Sequence, residues 1–557
     1  MKFYGRSKLV TCVLPVLPVL LTVGCALLGE KDTHISLLPT PPMEADYDVS
    51  ITEIPQPRMN NAEPLFTVSE NGPVDLSIEQ AVMLAIQNNR DLHVQQINPV
   101  IAGTFEQIER GEYDPEVFVG LEYVEERSSE TARSTGTQFN VEGSDTVSSA
   151  GLRQKLPTGT TLEATIDHRR SLSDRTPEQE SARVGLSLTQ SLLQGFGPAV
   201  NLVSIRQADL ETLASLYELR GFTETLLGNT EIAYWNYLLA NQEIEIFEQS
   251  LAVARQQRDE VELHIEVGTL PAVEAAAARA EVSRRGQDLI DARSLLEENR
   301  LRLLRHISSD LTGPVDLRIN PISQPGTDPE PVTDLADRLQ LAERFRPDLR
   351  EAVVRLNQNR LVTIVTRNGL LPRLELFMTL GKTGFADTFS DSFRELDGNT
   401  YDVAAGIRFS QFIRNRAAEG RDLAARASRR QAAEAVANLR QLVQLDVKLA
   451  INELERARQQ ISASRATRIL QEETLNAEKE RFNVGSSTAL LVAQAQRDLL
   501  ASQIAEAEAI ISYRIALVRL FLAEGSLLER RGISLDPKGF PGNYSFPNID
   551  WRSDITR

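Results

Sequence analysis

Few side chains in this 557-residue sequence have the chemistry of a reactive site, and their spacing does not bring them together. The five histidines, His34, His93, His168, His264 and His306, share no metal-ligand spacing. Gly381-Lys382-Thr383 has the ending of a phosphate-binding loop. That motif needs glycine where Leu376 stands, and an alternating apolar pattern precedes it. No Gly-x-Ser-x-Gly turn occurs. Cys12 and Cys25 are the only cysteines, and both fall in a leader-like N-terminus. A net charge of −18 supplies no basic stripe for nucleic acid. The sequence therefore predicts no enzyme, no cofactor, no metal and no nucleic-acid partner, and function has to be sought in architecture.

The termini set the frame. Lys2, Arg6 and Lys8 precede the apolar run Leu9–Val23, the pattern of a secretory signal over residues 1–25. The run ends Leu21-Thr22-Val23-Gly24-Cys25, which resembles a bacterial lipobox with its leucine one place early. Two readings follow: lipidation at Cys25, or an ordinary signal peptide that contains a cysteine. Residues 26–72 are proline-rich and aperiodic, as in an extended linker. Five prolines mark a second linker over 311–332, and the tail 530–557 is irregular. No internal segment has about 18 uncharged apolar residues, so no transmembrane helix is expected there.

Between the linkers one unit occurs twice. Gly268 and Gly485, in His264-Ile265-Glu266-Val267-Gly268-Thr269 and Arg481-Phe482-Asn483-Val484-Gly485-Ser486, are 217 residues apart. Leu84-Ala85 and Asp91-Leu92 match Leu341-Ala342 and Asp348-Leu349 at an offset of 257, and Gln190 matches Gln411 at 221. Repeat 1 (73–310) thus carries 36 more residues than repeat 2 (333–529) between Pro115 and Gln190. Each repeat predicts a first helix (77–110; 333–367), a β region, a helix near 70 residues (198–266; 415–483), a Val-Gly tip and a returning helix (271–306; 488–528). Val436, Leu439, Val443, Val447, Ala450, Leu454, Ala457 and Ile461 form a coiled-coil-like seam.

The β regions alternate. Val117, Val119, Leu121 and Tyr123 share one face, as do Val403, Ala405, Ile407 and Phe409. Such alternation suits a membrane barrel around a wet lumen and equally any half-buried sheet. The extra residues predict an added hairpin, Ala150–Leu156 and Thr160–His168, around Pro157-Thr158-Gly159. Long polar connections are expected over 126–147 and 169–181, giving four strands in repeat 1 and two in repeat 2.

These pieces together resemble the TolC-like outer membrane factors, the outer membrane efflux protein family. The matching residues are Leu76-Ser77-Ile78-Glu79-Gln80-Ala81 through Asn88-Asn89, Leu371-Pro372, Gln190-Ser191-Leu192-Leu193, Ala233-Tyr234-Trp235 and Arg481-Phe482-Asn483-Val484-Gly485. The resemblance implies a mainly α fold with membrane β: an α-barrel of long coiled-coil hairpins plus a trimeric transmembrane β-barrel, with two internal repeats per chain. Familiar members give four strands per subunit, and this chain departs from them. It further implies a homotrimer in outer membrane lipid with a periplasmic helical tunnel. That trimer would be the passive exit duct of a tripartite efflux or type I secretion system, joined by a periplasmic adaptor (a membrane fusion protein) to an inner-membrane transporter. The alternative is a periplasmic adaptor or scaffold with long hairpins. By the same resemblance Val267, Gly268, Thr269, Val484, Gly485 and Ser486 meet the adaptor. In some members acidic residues six and nine places after the tip glycine ring the aperture. Here those places hold Glu274 and Ala277 in repeat 1, and Leu491 and Gln494 in repeat 2. Glu274, Leu491 and Gln494 are therefore candidate gate residues.

Overall fold

The computed structural model describes residues 74–131, 134–174, 176–309, 318–326 and 334–533. Cys25, the leader and the first linker lie outside the described residues. The chain divides into two compact units, one built from residues 112–202 and 364–422, the other from 74–111, 203–363 and 423–533.

The first unit is one antiparallel sheet of six strands in the order β2-β3-β4-β5-β7-β8. These are β2 (Glu116–Thr131), β3 (Gln138–Leu156), β4 (Thr160–Ser173), β5 (Thr176–Ser191), β7 (Arg373–Ala386) and β8 (Tyr401–Ser410). The expected polar connections over 126–147 and 169–181 are mostly strand: β2 and β3 pair out to Thr131↔Gln138, and β4 and β5 out to Ser173↔Thr176. Apart from Phe139, Val141, Val147 and Leu172 their side chains are mostly small or polar, so composition resembled a loop while the backbone continues its ladder. Between β7 and β8 the chain makes a short helix, Phe389–Arg394, capped by Thr388. Two hairpins repeat one side-chain cluster. In β2–β3, Arg153 lies 3.7 Å from Glu116 and 5.2 Å from the Phe118 ring centroid, and Phe118 covers Gly151. In β7–β8, Arg408 lies 3.6 Å from Glu375 and 5.5 Å from Phe377, which covers Gly406. A Cβ at either glycine would sit 2.5–2.6 Å from the ring, so glycine at both positions lets the ring lie flat over the strand. Sequence offsets match β8 to β5, whereas this cluster matches β8 to β3.

The second unit is helical. Its elements are α1 (Ile78–Asn88), α2 (Arg90–Arg110), α3 (Val203–Glu266), α4 (Glu274–Ile307), α5 (Leu335–Phe345), α6 (Pro347–Asn368), α7 (Arg416–Asn483) and α8 (Ala489–Glu524). The 64 residues of α3 and 68 of α7 correspond to about 95 and 100 Å at ~1.5 Å per residue. Six of the eight seam residues of α7 are buried, and Leu454, Ala457 and Ile461 pack on Ala509, Tyr513, Ala516 and Leu520 of α8.

Each expected first helix is broken in two. In repeat 1 the break is Asn89, whose side chain caps α2 through Leu92 N–H (3.0 Å). Asn88 and Asn89 also donate amide hydrogens to the last carbonyls of α4, those of Ile307 and His306 (3.1 and 3.2 Å). In repeat 2 the break falls at Arg346, because Pro347 disfavours a helical residue before it. The long helix of repeat 1 is interrupted at Leu202. The last helix ends at Glu524, short of Leu528, since Gly525 adopts φ 64° and a Cβ there would lie 2.9 Å from the Arg346 backbone. The linker 311–332 contributes β6 (Ile319–Pro321), which pairs in parallel with β1 (Val74–Leu76). Tyr234 fixes this pair. Its hydroxyl donates to Leu76 O (2.9 Å) and accepts from Ser323 N–H (3.0 Å), and Tyr237 donates to Ile319 O (2.7 Å). Both rings sit in a cluster with Trp235, Leu303 and Ile511.

Buried charge ties the C-terminal turn to α3. Arg531 forks onto Glu231 (2.6 and 2.7 Å), and Arg220 bridges Glu224 (3.2 Å) and Glu529 (2.5 Å). Burial, with the nearby Glu529 charge, pushes the Glu224 carboxyl up to about 7, although Arg220 and Arg346 pull the other way. A raised carboxyl stabilises the fold below its unfolded value near 4.5, and that contribution is lost as pH rises through about 7. Glu224→Gln is therefore expected to shrink the fall in Tm between pH 5 and pH 8 by a few degrees in detergent. An equal fall in both proteins would show that Glu224 titrates normally.

Candidate functional site

The two Val-Gly tips are built alike. Gly268 has φ 75° and Gly485 φ 74°, the left-handed conformation that ends a helix. Gly268 N–H donates to Ile265 O (3.0 Å) and Thr269 N–H to His264 O (2.8 Å); Gly485 N–H donates to Phe482 O (2.9 Å) and Ser486 N–H to Arg481 O (2.8 Å). This is the Schellman arrangement, made twice. The next residue adds a hydroxyl bond to the same carbonyl: Thr269 Oγ1 to His264 O (2.9 Å) and Ser486 Oγ to Arg481 O (3.0 Å). That second bond explains a hydroxyl residue after each glycine, a role the sequence did not reveal. A Cβ on either tip glycine would meet nothing within 4 Å, so the requirement is the dihedral angle and the surroundings are open. Val267 and Val484 are exposed beside them.

After the tips the repeats diverge. In repeat 2, Thr488 caps α8 and accepts from Leu491 N–H. Val492 and Ala495 turn inward onto Leu475, while Leu491 and Gln494, one helical turn apart, are exposed on another face. In repeat 1, α4 begins at Glu274 with no side-chain cap, and Glu274 is half-buried. The structure thus puts Leu491 and Gln494 on one surface of α8 and Glu274 on α4. Glu281, further along α4, is buried and pairs with Arg285 (2.7 Å) and with Arg497 of α8 (3.2 Å).

The sheet has two chemically distinct faces. Cross-strand register lines Val119, Ala150, Ile166 and Val184 into one row, and Leu188, Met378 and Ala405 into another on the same face. Exposed apolar residues run along it from Val117 to Phe409. The opposite face carries Arg153–Glu163 (2.9 Å), Arg183–Asp402 (2.6 Å) and Arg408–Glu375 (3.6 Å). An exposed apolar face backed by ion pairs inverts the layering of a soluble domain and fits a sheet in lipid around water. Lys382 of Gly381-Lys382-Thr383 lies within β7, paired with Val184 and Tyr401, so no phosphate loop forms. Among the described residues no helix is long and apolar enough to cross a membrane, and no cluster of metal ligands occurs.

Comparison with known proteins agrees with this geometry. A model of the outer membrane efflux protein family matches residues 159–307 and 339–526. No curated protein sequence matches the chain. Among solved structures it is similar to the Campylobacter jejuni CmeC outer membrane channel, with a TM-score of 0.59 and 18% identity over 81% of this chain and 85% of that one. The open state of the Neisseria gonorrhoeae MtrE outer membrane channel gives 0.57 and 18% over 81% and 89%. The outer membrane protein VceC of Vibrio cholerae gives 0.58 and 14% over 80% and 96%. These likenesses establish the fold.

The tip geometry predicts that Gly485→Val, which forces a β-branched residue into the left-handed region at about 1–2 kcal/mol, speeds amide exchange of residues 481–486, whereas Gly485→Asn stays close to the parent. Equal exchange in the two variants would contradict the requirement for a left-handed residue.

Proposed function

The chain belongs to the outer membrane efflux protein family, and from that premise we propose that it is the passive exit duct of a tripartite efflux or type I secretion system. Three chains share one β-barrel in outer membrane lipid and continue it as a helical tunnel in the periplasm. The observation that carries this reading is the two-faced sheet, apolar and exposed on one side and ion-paired on the other. An inner-membrane transporter supplies the energy, and a periplasmic adaptor joins it to the duct at Val267-Gly268-Thr269 and Val484-Gly485-Ser486. Open space around both glycines and the exposed valines beside them support that role, because bare backbone and a small apolar tip let a partner approach closely. Lipidation at Cys25 would add an anchor to the same membrane.

At the narrow end, Leu491 and Gln494 face the lumen, and Glu274 is the counterpart of Leu491 in repeat 1. The exposure of Leu491 and Gln494 away from their own hairpin seam supports this. A ring of leucine closes an aqueous path partly by dewetting, so the repeat 2 constriction is apolar where an acidic ring would hold cations.

Purified protein in planar bilayers is expected to form stable pores, and Leu491→Ala to raise their single-channel conductance. Unchanged conductance would remove Leu491 from the constriction. Failure to form pores at all would sink the channel reading and favour a scaffold.

A further inference from the structure

Among the described residues the six-stranded sheet ends in two unpaired edges, β2 and β8. Resting on the trimer reading above, we infer that β8 of each chain pairs with β2 of the next, closing one barrel from all six strands of each of three chains. That is half as many strands again as four per chain would give.

Three features of the sheet point to this closure. The first is polarity. Five successive antiparallel pairings make β8 run opposite to β2, so β8 beside an identical neighbour's β2 continues the antiparallel pattern. The second is facing. Val117, Val119 and Leu121 of β2 and Val403, Ile407 and Phe409 of β8 belong to the same apolar face, so the junction keeps one lipid side and one wet side. The third is exposure. Those edge side chains are 60–81% exposed, against 38–49% for Leu152, Ile166, Val184, Leu186 and Leu380 in the inner strands. In hydrocarbon the edge backbone needs hydrogen-bond partners, and the six strands do not close on themselves.

The helical unit gives an independent argument from the internal repeat. In repeat 2, α6 lies between two long helices: Leu349 and Val353 pack on Val436 of α7, and Val354 packs on Leu210, Leu213, Ala214 and Tyr217 of α3. In repeat 1, α2 fills half of the equivalent place. Leu92, the counterpart of Leu349, packs on Leu219 and Leu226 of α3. Ile97, the counterpart of Val354, is 51% exposed, in a stripe with Val94, Ile101, Phe105 and Ile108. Repeat symmetry assigns that stripe to a second long helix of the α7 type, and the chain's own α7 already serves α6. At offsets of 217 to 221, the α3 residues that receive Val354 map to Ala427, Arg430, Gln431, Glu434, Ala435 and Asn438 of α7, and all six are exposed. The occupant is therefore α7 of a neighbouring chain. Two different surfaces meeting in this way make a head-to-tail interface, which gives a ring when the rotation between neighbours closes. The same stretches of sequence carry both contacts, since α2 runs directly into β2 and β8 directly into α7.

A larger strand number widens the barrel roughly in proportion, into the range where porin-type barrels hold an open aqueous lumen. The full chain can be tested with paired cysteines. Val119→Cys in β2 is combined in turn with Val403→Cys, Ala405→Cys or Ile407→Cys in β8, and separately Ile97→Cys is combined with Gln431→Cys. Residues directly opposite in an antiparallel pair have Cβ atoms about 4.5–5.5 Å apart, within reach of a disulfide or a short bismaleimide. Light scattering in detergent gives the number of chains. The expected result is a trimer that one β2–β8 register converts into a covalent ladder of two and three chains on a denaturing gel, with none from the single variants. A trimer that cross-links through Ile97 and Gln431 but at no β2–β8 register would overturn the strand closure and leave the channel reading standing. Absence of a trimer would overturn both.

Discussion

Backbone polarity is the constraint on which this molecule turns. A sheet that presents an apolar face to lipid cannot leave an edge of N–H and C=O groups unpaired, because hydrocarbon offers nothing to bond them. Among the described residues the larger sheet has six strands and two such edges. On the closure inferred above, one chain is an incomplete object, and its even strand number permits identical chains to complete one another in antiparallel order. The cross-strand ion pairs fit the same logic. Arg153–Glu163 and Arg183–Asp402 lie on the face away from the apolar rows, where water can solvate them.

The helical unit meets a parallel constraint by different means. Helices of 64 and 68 residues are too long to be stabilised by their own hydrogen bonds and must be packed along their length. The chain supplies much of that packing internally. The long helices have returning partners, α6 packs against both, and the hub at Tyr234, Trp235 and Tyr237 ties α1, α3, α4 and the β1–β6 pair together. Buried charge also holds the turn after α8, with Glu524 bonded to Ser526 and Arg530 and paired with Arg338. The two tips lie outside this packing. Their shape comes from backbone hydrogen bonds and one hydroxyl each, and the space around both glycines is open.

The architecture was legible in the sequence where a period or a glycine carried it. The α7 seam from Val436 to Ile461, the Val-Gly tips and the apolar alternation of Val117–Tyr123 all appear in the structure where periodicity put them. Features that depend on distant partners were not legible. Asn88 and Asn89 read as a motif, but their work is to cap α4 more than 200 residues away. The strands over 126–147 were hidden because most of their side chains are small or polar, so composition spoke for a loop while pairing decided for a ladder. The parallel β1–β6 pair joins two three-residue strands, too short to show an alternating pattern. At the candidate gate, counting from the tip located Leu491 and Gln494, and only the packing of Val492 and Ala495 showed which face of α8 they occupy.

The most direct test of the account is where the full chain resides and in what form. After separation of inner membrane, outer membrane and periplasm from an expressing Gram-negative cell, the account predicts recovery with the outer membrane, resistance to alkaline carbonate and release only by detergent. The released particle should have about three times the mass of the processed chain, which is a little under the 61.9 kDa of the full sequence. Recovery as a soluble periplasmic protein without detergent would contradict it.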